Sequence, residues 1–145
     1  MKIVTTTTLT ESELNDIYQI HQDVFGDIHR FTDKLIQKSH LVFTLSIENE
    51  KVVGYKIGYP LDDKRFYSWM GAVAPEARNR GIATKLMSTQ HNWAQSQGYQ
   101  SIETKTMNRW RQMLLLNIRH GFDVKAVTVD EHGVEKILLR KQLYQ

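Results

Sequence analysis

The segment Val73-Ala74-Pro75-Glu76-Ala77-Arg78-Asn79-Arg80-Gly81-Ile82-Ala83-Thr84 constrains the fold more than any other part of this chain. Arg65 to Val73 carries aromatics and valine and reads as a strand, which Pro75 breaks. Two arginines follow. Gly81 then opens a helical apolar pattern of Ile82, Ala83, Leu86, Met87, Trp93 and Ala94, stopped by Gly98. A helix entered this way leaves its first N–H groups unpaired, and the helix dipole makes them an anion site. Gly81 lets a phosphate approach the backbone closely, while Arg78 and Arg80 add charge and directional donors. The segment contains neither G-x-x-x-x-G-K-[ST] nor G-x-G-x-x-G, which argues against a P-loop or a dinucleotide fold.

The remaining elements follow from periodicity and punctuation. Leu9 to Leu14 reads as a helix start, with Thr10 as cap, Glu13 completing a capping box and Leu9 as a staple to Leu14. Leu14, Ile17, Tyr18, His21 and Phe25 continue it to Gly26. A second helix is expected from about Phe31 to Gln37, with Phe31, Leu35 and Ile36 on one face. Leu41–Ile47 and Val52–Tyr59 form a hairpin around Glu48-Asn49-Glu50-Lys51. Ser101–Thr106 is a short strand. Asn108 is expected to cap a helix running to His120 and Gly121. Phe122–Val129 and Val134–Leu139 close the chain as two strands. The order ααβββαβαββ, without repeat or linker, gives one α/β (α+β) domain over residues 1–145.

Composition narrows the function. With no cysteine among 145 residues, disulfide scaffolds, cysteine-based zinc sites and acyl-cysteine intermediates are excluded. The six histidines show no H-E-x-x-H or other metal spacing, so no metal is expected. No apolar run approaches a membrane span and no signal peptide is evident, so a cytoplasmic protein without membrane contact is expected. Residues 1–75 hold 8 Lys/Arg against 10 Asp/Glu, and residues 76–145 hold 11 against 6. The positive half contains the proposed phosphate loop, and a cationic partner would be recognised in the other. Asn108-Arg109-Trp110-Arg111 is too short a basic-aromatic run to imply nucleic acid.

Arg78-Asn79-Arg80-Gly81-Ile82-Ala83 resembles motif A of the GNAT superfamily of N-acetyltransferases, Arg/Gln-x-x-Gly-x-Gly/Ala. Ala-Val-Ala-Pro-Glu directly before it is similar to the exit of the family's fourth strand. Met113 to Phe122 resembles motif B, a helix ending in Gly-Phe, and Asn108 near its start is also family-like. The resemblance implies a mixed, mostly antiparallel sheet flanked by helices, its fourth and fifth strands splayed to admit acetyl-CoA. It implies that Arg78, Asn79, Arg80, Gly81, Ile82, Ala83 and Thr84 hold the pyrophosphate, with Asn108 nearby. Ala72, Val73 and Ala74 would pair with the pantetheine arm, and an N–H near Val73 would face the acetyl oxygen.

The same resemblance implies direct attack by a primary amine, carried by a small molecule or a peptide, in a ternary complex. Such an amine is mostly charged at neutral pH, so a base or a water chain has to remove its proton. Glu103 is the candidate base, with a solvated strand carboxylate as the plainer reading. Asn117 stands where many members carry the tyrosine that protonates the departing thiolate, and asparagine cannot supply that proton. Tyr55, Tyr67 and Trp69 are candidates for the acceptor pocket, packing being the simpler role. A homodimer stays among the admissible partners. The rival to an enzyme is a non-catalytic acyl-CoA-binding or regulatory module.

Overall fold

In the computed structural model, residues 1–143 are described. Along the chain run β1 (Lys2–Thr6), α1 (Glu11–Phe25), α2 (Ile28–Gln37), β2 (Val42–Glu48), β3 (Lys51–Pro60), β4 (Arg65–Val73) and a 3₁₀ turn (Pro75–Ala77). They are followed by α3 (Ile82–Ser96), β5 (Ser101–Thr106), α4 (Arg111–Arg119), β6 (Asp123–Val129) and β7 (Glu135–Gln142).

Local chemistry accounts for most boundaries. Thr10 accepts from the Glu13 N–H at 3.1 Å, and the Glu13 carboxylate accepts from the Thr10 N–H at 2.9 Å, completing the capping box of α1. Gly26 ends that helix in the left-handed region, φ 73°. Asn49 and Glu50 both take positive φ, which gives the β2–β3 hairpin the turn twist that suits paired strands.

The strands form one mixed sheet in the order β1-β2-β3-β4-β5-β7-β6. Its single parallel pair is β4–β5, joined through α3; every other pair is antiparallel. That pair runs only from Arg65↔Ser101 to Ser68↔Thr104. Beyond it, Met70–Val73 stay paired to β3 on one side while Lys105 and Thr106 stay paired to β7 on the other. The two strands therefore diverge into an open V.

Strand alternation sorts the two faces. Tyr55 and Ile57 pack with Ile17, Ile20 and Phe31 of α1 and α2. Gly54 points the other way, where a Cβ would meet Leu86 and Ile82 of α3 at 3.1 and 3.2 Å. A second core of Phe66, Met87, Ala94, Ile102 and Leu139 fills the space beneath α3.

Three expectations are corrected. The chain opens with a strand, β1, before the first helix, because the β-branched run Ile3 to Thr6 pairs with β2 as a sheet edge. Ile36 is 80% exposed, so of the three residues expected on one face of α2 Phe31 and Leu35 face inward and Ile36 does not. Asn108 does not cap α4: it sits in a turn closed by the Trp110 N–H donating to the Met107 carbonyl, and the helix starts at Arg111.

Candidate active site

Two features of the V make it a site. The first is the start of α3. Asn79 and Gly81 both adopt positive φ, 62° and 74°, which curls the loop so that the helix begins without a side-chain cap. The N–H groups of the first turn are left for a ligand. A Cβ on Gly81 would meet nothing within 4 Å, so the approach to these donors is open. Arg78, Asn79, Gly81 and Thr84 are exposed around it, while Ile82 is buried and anchors the helix. Arg80 is also exposed, but both arms of its guanidinium are taken by Glu48 of β2, Nη1 at 3.0 Å from Oε1 and Nη2 on Oε2. This uncapped, open turn fits a pyrophosphate.

The second feature is a narrow cleft that continues from there into the V. Its lining includes Lys56, Gly71, Ala72, Val73, Ala83, Met87, Met113 and Leu116, together with Tyr55. Ala74, by contrast, is buried, its N–H given to the Val53 carbonyl at 2.8 Å. Lys56 is the cationic side chain of the cleft. Its stem crosses Gly71, the residue opposite it on β4, and burial pushes its ammonium down to about 8. Sequence reasoning missed Lys56, since only the β3–β4 register brings it into the V.

Glu103 lies in the closed half of the pair, opposite Tyr67. Its Oε2 accepts from Arg65 Nη1 at 3.1 Å and from Arg140 Nε and Nη2 at 3.2 and 3.1 Å. Asn117 is buried in the last turn of α4. A roomier hollow lined by Asp62, Lys64, Arg65, Gln100 and Arg140 opens at the other end of β5, away from the V. Its Asp62, Arg65 and Arg140 are already ion-paired, and it lies away from the start of α3.

Tyr55 has no exposed surface, which bars its side chain from direct contact with an acceptor. Its hydroxyl lies 2.8 Å from His21 Nδ1, and His21 Nε2 lies 2.5 Å from Asp27 Oδ1. Burial lowers the His21 pKa, with Asp27 opposing, and burial raises that of Tyr55. A neutral phenol donating to a neutral imidazole, which donates to Asp27, satisfies all three groups. Tyr67 and Trp69 are half-buried on the α1/α2 face, where Trp69 stacks on Phe31 with centroids 5.7 Å apart.

A splayed parallel strand pair, with a helix opening at a glycine over its mouth, defines a class of acyl-CoA-dependent transferases. The Acetyltransferase (GNAT) family profile matches residues 9–114 of this chain, so the protein belongs to that family. Solved structures share the fold. A GNAT family acetyltransferase from Elizabethkingia anophelis, with acetyl-CoA bound, is 20% identical with a TM-score of 0.75, covering 97% of this chain and 98% of its own. The ribosomal-protein-S18-alanine N-acetyltransferase from Escherichia coli is 15% identical with a TM-score of 0.80, covering 99% and 96%. An aminoglycoside 6'-acetyltransferase type Ii is 14% identical with a TM-score of 0.84, covering 100% and 99%. No curated protein sequence matches the chain significantly. Among the described residues, no acidic or histidine cluster suited to a metal is found and no helix is long and apolar enough to cross a membrane.

Proposed function

We propose that the protein transfers an acetyl group from acetyl-CoA to a primary amine, which attacks the thioester directly. The observation that carries this reading is the V itself, opening beyond Ser68 and Thr104 beneath the uncapped start of α3. The N–H groups of Gly81 to Thr84 hold the pyrophosphate, with Arg78 beside them and Arg80 able to exchange Glu48 for phosphate oxygens. The free edge of β4 at Ala72 and Val73 holds the pantetheine arm as a neighbouring strand would, and an N–H near Val73 stabilises the developing oxyanion.

The missing tyrosine at Asn117 leaves protonation of the departing sulfur to another group. Lys56 is placed for it: its ammonium stands in the cleft without a carboxylate partner among the described residues. As the amine nitrogen bonds the carbonyl carbon and the C–S pair returns to sulfur, Lys56 gives its proton to that sulfur. Glu103 has its Oε2 already engaged by Arg65 and Arg140, and the amine proton leaves through water.

Thermal shift with acetyl-CoA, CoA and desulfo-CoA tests the cofactor half; absence of stabilisation by all three overturns it. Thiol release across a panel of amines tests the chemistry. Asn117 and the engaged Glu103 favour one second reading, a non-catalytic acyl-CoA-binding module, and binding without turnover across the panel would establish it.

A further inference from the structure

The acceptor side of the V contains an ammonium already. Tyr59 and Tyr67 are register partners on β3 and β4, with ring centroids 5.4 Å apart. Trp69, two residues beyond Tyr67, projects from the same face. Lys38, the residue that ends α2 in extended conformation, brings its Nζ over two of these rings. It stands 4.8 Å from the Tyr59 centroid and 4.9 Å from that of Trp69, with the Tyr59 hydroxyl 3.5 Å away.

The box has three properties of a recognition site. It lies at the apex of the V, since Trp69 directly follows Ser68, the last β4 residue paired to β5. Its walls stay neutral, because burial raises both phenols above their ordinary range. Its occupant is loosely held. Lys38 has no carboxylate partner among the described residues, and its charge is one of those that press on Lys34, one turn earlier. The neighbouring carboxylate, Glu103 opposite Tyr67, already holds Arg65 and Arg140. Aromatic faces rather than acidic residues thus supply the attraction for a cation here.

We infer that the Tyr59–Tyr67–Trp69 box is the acceptor subsite, that it takes a primary alkylammonium of the CH2–NH3⁺ kind, and that Lys38 is a resident surrogate displaced by the substrate. This rests on the acetyl-transfer reading and names its acceptor class. The chemistry is shared by polyamines and by lysine side chains of peptides, whereas the α-amine of an N-terminal alanine sits on a branched carbon next to a carbonyl and lacks the slim methylene stem the box now holds.

The test is binding of n-butylamine, spermidine, a lysine-containing peptide with a blocked N-terminus and an alanine-ended peptide. It is followed by the tryptophan fluorescence that is lost in W69F, and in parallel by KM in the thiol-release assay. Lys38→Met and Lys38→Gln should tighten alkylammonium binding about 3- to 30-fold, and Tyr59→Leu should weaken it by a similar factor. The spermidine and lysine-peptide arms distinguish the two sources. Unchanged or weaker amine binding in both Lys38 variants, or equal binding of the alanine-ended peptide, overturns the inference. Because acetyl-CoA stabilisation is measured separately, a failed subsite is distinguishable from a failed cofactor assignment.

Discussion

Lys56 and Gly71 face each other across the β3–β4 ladder, and the lysine stem lies over the space the glycine leaves empty. A Cβ at Gly71 would stand 3.0 Å from Lys56 Cγ and 3.1 Å from the Tyr55 carbonyl oxygen. The side chain can move aside but the carbonyl cannot. Gly71→Ala should therefore cost about 1–3 kcal/mol in a urea melt and lower thiol-release kcat by dislodging Lys56. Wild-type stability would mean that the close approach is not what keeps glycine there.

Lys56→Gln should lower kcat by about 100-fold while leaving stabilisation by desulfo-CoA unchanged. The pH profile carries the sign. With the ammonium as proton donor and its pKa pushed down to about 8, wild-type kcat should fall as pH rises through that value. Deprotonation of the acceptor amine acts in the opposite direction. Loss of the alkaline limb in Lys56→Gln identifies Lys56 as the donor; an unchanged profile removes it from the chemistry.

Gly81→Glu should abolish stabilisation by CoA while the protein still folds, since the position points into open space. The carboxylate would meet the phosphates at the helix start, where they need the dipole and the free N–H groups. Gly81→Ala is the control. It carries only the cost of φ 74°, about 1 kcal/mol, and should keep most CoA binding.

The site was legible in the sequence where a local rule governs it. Gly81, Gly26 and the Thr10–Glu13 box are read from neighbouring residues, and the strand-to-helix passage around Pro75 marked the V. What escaped depends on register. Lys56 acquires its place from Gly71, fifteen positions away, and Glu103 acquires Arg65 and Arg140 from two other strands. His21 and Tyr55 meet across a helix–sheet interface that no spacing encodes. β1 escaped because its threonines give no clear alternation until β2 supplies a partner.

Glu103→Gln tests how that carboxylate is employed. Its Oε2 is shared by two arginines on strands either side, so the amide would leave a partly buried guanidinium pair without its counter-charge. The melting temperature should drop by several degrees while the pH–rate profile keeps its shape. A profile shifted without loss of stability would restore Glu103 as the base.

His91 provides a pH dependence of stability. It lies on the buried face of α3 with Nδ1 3.1 Å from Lys141 Nζ, so the lysine donates and the ring is neutral. Burial, with Lys141, Lys56 and His120 adding repulsion, pushes its pKa from 6.5 down to about 3. Between those values the unfolded chain binds a proton that the folded chain refuses. Its contribution is therefore complete above pH 7 and is lost as pH falls, at up to about 1.4 kcal/mol per unit. His21, also lowered by burial, adds in the same direction. His91→Gln keeps an acceptor for Lys141 but cannot titrate. It should be less stable than wild type at pH 8, having lost the ring packed on Phe122, and should approach or overtake it by pH 5. Urea melts at the two pH values check this. A stability difference between the two proteins that does not vary with pH would show that His91 takes up its proton equally well folded and unfolded.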